Sequence, residues 1–223
     1  MNTENIVNIS TAIITSLGTI ISGILAVIAL KQTKKQLELS NKQNLFNERV
    51  RLFLIINGLL ELYVKNRGSL TEDKEDRIYV EVDWLFCSMV NNTYLENISA
   101  AIYKPLQNPE QKELLKKIEE IRNEAVKSQF LFDGNIAKLL HNFITNYASI
   151  LMSLYQYKVL LEDMKEITDK IPKKDINDVA KEVKESQYRE ELFKKFEELE
   201  NSYKMLEEFN VIEVLENQIK LTK

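Results

Sequence analysis

Nucleophiles, groups that titrate near neutral pH and metal ligands are the residues that do chemistry, and this chain is poor in them. Its 223 residues include one cysteine, Cys87, and one histidine, His141. A structural zinc site needs four Cys or His ligands in close groups, which one of each cannot supply. No G-x-x-x-x-G-K-[ST], G-x-G-x-x-G or H-E-x-x-H string occurs, so neither the phosphate-cradling loops nor the zinc-protease helix is encoded. His141 would serve as a general base only beside a partnered nucleophile, and a single His on the flank of an amphipathic helix is expected to be structural. We therefore assign no catalytic residue, metal ligand or cofactor site. The lone Cys87 excludes an intramolecular disulfide and fits a reducing compartment.

Two arrangements of residue types remain. The first lies in an apolar segment, where Thr11, Thr15, Gly18, Ser22 and Ala26 recur at helical spacing with Thr19 and Gly23 alongside. In lipid such a small, partly polar face lets helix backbones approach and hydroxyls bond across the contact, so it predicts self-association. The alternatives are hydroxyls that bond only their own backbone carbonyls, or a water-lined pore. The second arrangement is Arg49, which shares a stripe with Leu45, Leu52, Ile56 and Tyr63. Its guanidinium either snorkels to water over an aliphatic stem or pairs with Asp133, the acid after Phe130-Leu131-Phe132, as a structural clamp.

The element that positions the first arrangement is residues 6–30, a run with no charged residue. About 25 residues make roughly 37 Å of helix, enough to cross about 30 Å of hydrocarbon. Only Glu4 precedes it, while Lys31, Lys34 and Lys35 follow at once. Positive flanks stay in the cytoplasm, which places the following body inside. A cleaved signal peptide would have a basic start and a small-residue cleavage site, and here the start is acidic and the run ends in lysines. The reading is a single-pass anchor in the cell membrane, with the lipid bilayer as first partner.

Residues 1–30 then form a short external tail and transmembrane helix, 31–44 a polar helical stalk, and 45–223 a cytoplasmic helical bundle with a C-terminal amphipathic helix. Five glycines and three prolines leave few turn sites, and the predicted fold class is all-α. A net charge of -4 argues against a nucleic-acid partner, which calls for a basic surface. In the body, Phe46, Val50, Phe53, Leu60 and Val64 adjoin the Leu45, Leu52, Ile56, Tyr63 stripe. Gly68 is expected to end that helix, with Ser69 and Glu72 opening the next as a capping box. Residues 77–86 alternate apolar and polar as a strand does. Helix is favoured there because nothing else in the chain alternates to pair with it, and no Gly or Pro interrupts 69–104.

Asn108-Pro109 opens a fourth helix carrying Leu114, Leu115, Ile118, Ile121 and Ala125, and Asp133-Gly134-Asn135 supplies a turn. A fifth buries Ile136, Leu140, Phe143, Tyr147, Ile150, Leu151 and Leu154. After a connector at Pro172, a charged helix runs to the end with Leu192, Phe196, Leu199, Tyr203 and Leu206 in a coiled-coil-like seam. The seam packs within the chain or takes a partner helix. Acids and lysines interleave in 112–124 and 181–200, as on solvated helix faces.

The strings Phe46-Asn47-Glu48-Arg49 and Phe130-Leu131-Phe132-Asp133, in this order of parts, resemble a set of uncharacterised bacterial proteins with one N-terminal span, a stalk and an all-helical cytoplasmic body. The resemblance implies an accessory role at mobile elements or phage-defence loci and carries over no catalytic residue. Two functional expectations follow. One is a membrane-anchored, non-enzymatic interaction or effector protein that forms homo-oligomers and serves in defence or stress response. The other is a membrane-tethered sensor that holds a small ligand between its helices.

Overall fold

A computed structural model describes residues 3–71, 78–171 and 175–220. Every regular element among them is helical: α1 (Thr3–Thr71), α2 (Ile78–Met89), a 3-10 helix (Glu96–Ile102), α3 (Glu110–Leu131), α4 (Gly134–Lys170), α5 (Ile176–Glu182), α6 (Glu185–Glu208) and α7 (Val211–Ile219). The chain divides into two compact units, the first ending at Asn47 and the second beginning at Glu48.

Among the described residues, no packing partner explains the apolar content of the helix in the first unit. Val7 and the large apolar side chains from Ile13 to Leu30 are 46–70% exposed, where a helix in a soluble core would bury one face. It is long and apolar enough to cross a membrane, and none of its most apolar window is buried.

The second unit is built on one continuous core. The part of α1 in this unit contributes Leu52, Ile56, Leu59 and Tyr63, the long α4 contributes Leu140, Phe143, Tyr147, Leu151 and Leu154, and α6 contributes Leu192, Phe196 and Leu199. The predicted C-terminal seam is buried at all five positions, with α6 packed along α4. Of the two α1 stripes, the one through Leu52, Ile56 and Tyr63 faces the core. The other is its flank, since Leu60 is buried but Val64 is half exposed. On α2, Val82 and Phe86 are buried while Trp84 is exposed, a helical period and not an alternating one.

Several boundaries differ from expectation. Gly68 does not end α1, which continues to Thr71. Burial of Leu70 rewards another turn there, and glycine permits a stop without requiring one. Ser69 is therefore inside a helix, and Glu72 lies outside the described residues, as does Pro172. The helix expected over 69–104 breaks after Met89, because Asn92 Oδ1 accepts from the backbone N–H of Tyr94 (3.1 Å) and Leu95 (2.9 Å) and turns the chain. Gly58 on α1 accommodates this turn: a Cβ there would lie 3.2 Å from the Asn92 amide nitrogen.

The final helix is three helices, broken at Lys184 (φ 56°) and Asn210 (φ 45°) in the left-handed region. The break at Asn210 turns α7 so that Val211 and Leu215 reach the core. Leu115 is exposed and Ile136 only partly buried, whereas the other predicted apolar positions of α3 and α4 are buried. Gly134, at φ +69°, supplies the expected turn into α4.

Candidate functional site

The small face of the first unit lies along α1 with the helical spacing read from the sequence. Thr11, Thr15, Gly18, Ser22 and Ala26 are all exposed, and a Cβ added at Gly18 or Gly23 would meet nothing within 4 Å. The threonine hydroxyls already have partners inside the helix. Thr11 donates to the Val7 carbonyl (2.9 Å), Thr15 to that of Thr11 (2.8 Å) and Thr19 to that of Thr15 (2.9 Å). Each oxygen keeps lone pairs but has spent its proton, so this face offers close approach of backbones more than new donor bonds between helices.

In the second unit, Arg49 joins three elements. Its Nε donates to the Leu131 carbonyl at 2.6 Å and its Nη1 to the Gln218 carbonyl at 3.0 Å. Those carbonyls belong to the last turns of α3 and α7, where four C=O groups have no partner in their own helix and the macrodipole is negative. One guanidinium thus caps two helix ends. Asp133, the predicted partner, is brought close, with Oδ2 3.9 Å from Nη2, but its carboxylate is 87% exposed and the contact is not bidentate. Its backbone N–H instead donates to Gln218 Oε1 of α7 at 3.1 Å.

A second polar cluster was not singled out from the sequence. Arg51 Nη2 and Lys127 Nζ lie 2.7 and 3.0 Å from Glu124 Oε1, and the carboxylate is only 6% exposed. The other oxygen, Glu124 Oε2, and the Tyr94 hydroxyl are both buried with no hydrogen-bond partner among the described residues. Both residues line one open cavity of about 440 Å³, together with Arg51, Glu120, Asn123 and Lys127. Burial, reinforced by the charges of Glu124 and Glu120, pushes the Tyr94 phenol up to about 12, so it remains a donor at neutral pH. Lys117 Nζ sits 4.6 Å from the centre of its ring. The only hint of this site in the sequence is an acid on the apolar side of α3, since Glu124 falls beside Ile121, Ala125 and Ser128.

A third cluster is fully satisfied. Glu200 receives the Tyr63 hydroxyl, Arg67 Nη2 at 2.7 Å and Lys204 Nζ at 3.4 Å, while the Arg67 guanidinium also lies 4.8 Å from the Tyr203 ring centre. Burial raises the Glu200 carboxyl, but the Tyr63 hydrogen bond and the Arg67 charge outweigh it and hold the group below the ordinary carboxylate value. This knot ties α1 to α6.

The two residues weighed for chemistry are both ties. His141 Nδ1 is 3.0 Å from the Ala125 carbonyl, which can only accept, so that nitrogen carries the proton and links α4 to α3. Cys87 is a free, partly buried thiol that donates to the Tyr103 hydroxyl at 3.3 Å. Among the described residues no group of three or more His, Cys, Asp or Glu is placed to hold a metal ion. The chain matches no family model, and no similar curated protein or solved structure was found.

Proposed function

We propose that the protein is a membrane-anchored, non-enzymatic interaction or effector protein, with residues 6–30 in the bilayer and the helical body in the cytoplasm. The observation that carries this reading is the charge-free run whose large apolar side chains are exposed, followed at once by Lys31, Lys34 and Lys35. Leaving that much apolar surface in water would cost on the order of 25 cal/mol per Å², and a bilayer removes the cost. The lysines assign the body to the inside. Homo-oligomerisation through Thr11, Thr15, Gly18, Ser22 and Ala26 belongs to the same proposal, and a bacterial defence or stress setting enters on the resemblance alone.

The test is paired. The full chain should stay in the membrane pellet under alkaline carbonate. Cys87 should resist an impermeant maleimide in intact cells and react after lysis and denaturation. Extraction by carbonate would remove the anchor, and labelling in intact cells would reverse the orientation.

A second reading, the ligand sensor, is favoured by one observation: a cavity lined by Tyr94, Glu124, Arg51 and Lys127, where the Tyr94 hydroxyl and Glu124 Oε2 are buried without a hydrogen-bond partner among the described residues. A small-molecule thermal-shift screen whose hits vanish in Tyr94→Phe would move the reading toward a sensor.

A further inference from the structure

The body carries a larger concavity, an open groove of about 810 Å³ between α1, the end of α6 and α7, that borders the Glu200 knot at Tyr203. Its floor is apolar, formed by Leu60, Val64, Leu206 and Ile212, and Val64 is 49% exposed there. Its rim is acidic, formed by Glu61, Glu207, Glu213 and Glu216 against a single cation, Lys65.

The rim charges are not neutralised as the largely buried acids Glu124 and Glu200 are. Glu124 and Glu200 each hold two cations. Among the described residues Glu61, Glu207 and Glu213 have no lysine or arginine within ion-pair distance, and Glu216 has only Lys220 at 3.9 Å. The bonds they do accept are neutral, from Asn57 Nδ2 to Glu61 (2.7 Å) and from the Tyr203 hydroxyl to Glu207 (2.5 Å). Negative potential is left standing around an apolar strip.

We infer that this groove docks an amphipathic helix of a partner protein, with an apolar stripe on the floor and Lys or Arg on both flanks facing the glutamates. The occupant is a helix because the walls are helices whose backbone groups are already paired. An extended segment would find no strand edge to bond and would leave its own N–H and C=O groups unmet. The occupant is basic because a second negative surface, an anionic lipid headgroup or a nucleic acid would be repelled. The inference rests on the reading of the chain as an interaction protein but does not require the membrane anchor.

The experiment uses the full chain in phosphatidylcholine nanodiscs, with empty nanodiscs as background. The probe is a fluorescein-labelled helical peptide of about 18 residues with a leucine stripe and lysine flanks, compared with the same peptide carrying glutamate flanks. The lysine peptide should bind at least about tenfold more tightly than the glutamate peptide. In the Glu61→Lys/Glu213→Lys double variant the order should invert. Equal binding of the two peptides, or a preference unchanged by the double reversal, would overturn the groove. Should the reversed variant lose its helical circular dichroism, Glu61→Gln/Glu213→Gln replaces it and should reduce the preference to about threefold or less. Carbonate extraction of the parent chain alongside an intact peptide preference would sink the anchor and leave the groove standing.

Discussion

Arg49 and Asp133 meet only at the edge of ion-pair distance, 3.9 Å, although the guanidinium donates to the backbone of Leu131 two residues earlier at 2.6 Å. The carboxylate is in water and adds little, as exposed pairs do. The carbonyls of Leu131 and Gln218 are helix ends that lose their charged donor if Arg49 goes. Arg49→Met should therefore cost about 2 kcal/mol, within the range for charge-assisted bonds, and Asp133→Asn less than about 0.5 kcal/mol. Unfolding of the full chain in mild detergent, followed by Trp84 fluorescence, measures both. Equal costs, or a strong coupling between them, would return the weight to the side-chain pair.

The knot at Glu200 makes a pH prediction. A carboxyl held below its ordinary value binds its proton less readily folded than unfolded. Its contribution to stability is complete above the unfolded value of about 4.3 and is lost as pH falls through the lower folded value. Glu200→Gln should lower stability at pH 7 by about 1–3 kcal/mol and flatten the acid limb between pH ~5 and ~3. An unchanged acid limb in thermal melts across that window would show that other carboxylates set it.

Tyr147 is wholly buried and donates from its hydroxyl to the Met89 carbonyl at 2.6 Å. Met89 is the last residue of α2, so this carbonyl has no partner of its own in the helix. Tyr147→Phe keeps the ring and should cost about 1–2 kcal/mol. A silent substitution in denaturant melts would mean that water reaches the end of α2.

What was readable and what was not follow from where the information lies. Leu192, Phe196, Leu199, Tyr203 and Leu206 declared a buried face because spacing alone encodes it. Helix breaks carried by single residues were harder. Asn210 tolerates the left-handed region and gave a signal that went unused, whereas Lys184 gives none, since its conformation is imposed by the packing of α5 and α6 on α4. The turn after α2 was written in Asn91-Asn92-Thr93, poor helix formers that bond their own backbone. The hydrogen-bond partners of Arg49 are backbone carbonyls, and every residue has one, so no pattern of side chains could have named Leu131 or Gln218. Glu124 and Tyr94 come together only through the fold.

The small face of α1 makes the sharpest claim about the first unit. Because Thr11, Thr15 and Thr19 already donate within the helix, the proposed association would rest on the fit of backbones over Gly18 and its neighbours, and bulk there should matter more than lost hydroxyls. Gly18→Leu and Ser22→Leu should each lower association in a membrane reporter by about tenfold, the equivalent of ~1.4 kcal/mol lost when two packed helices are pushed apart. Thr15→Val, which keeps shape and removes the hydroxyl, should change it less than about threefold. The opposite ranking would mean that hydroxyls bond across the contact after all, by releasing their own carbonyls. No response to any of the three would assign association, where it is observed, to the helical body.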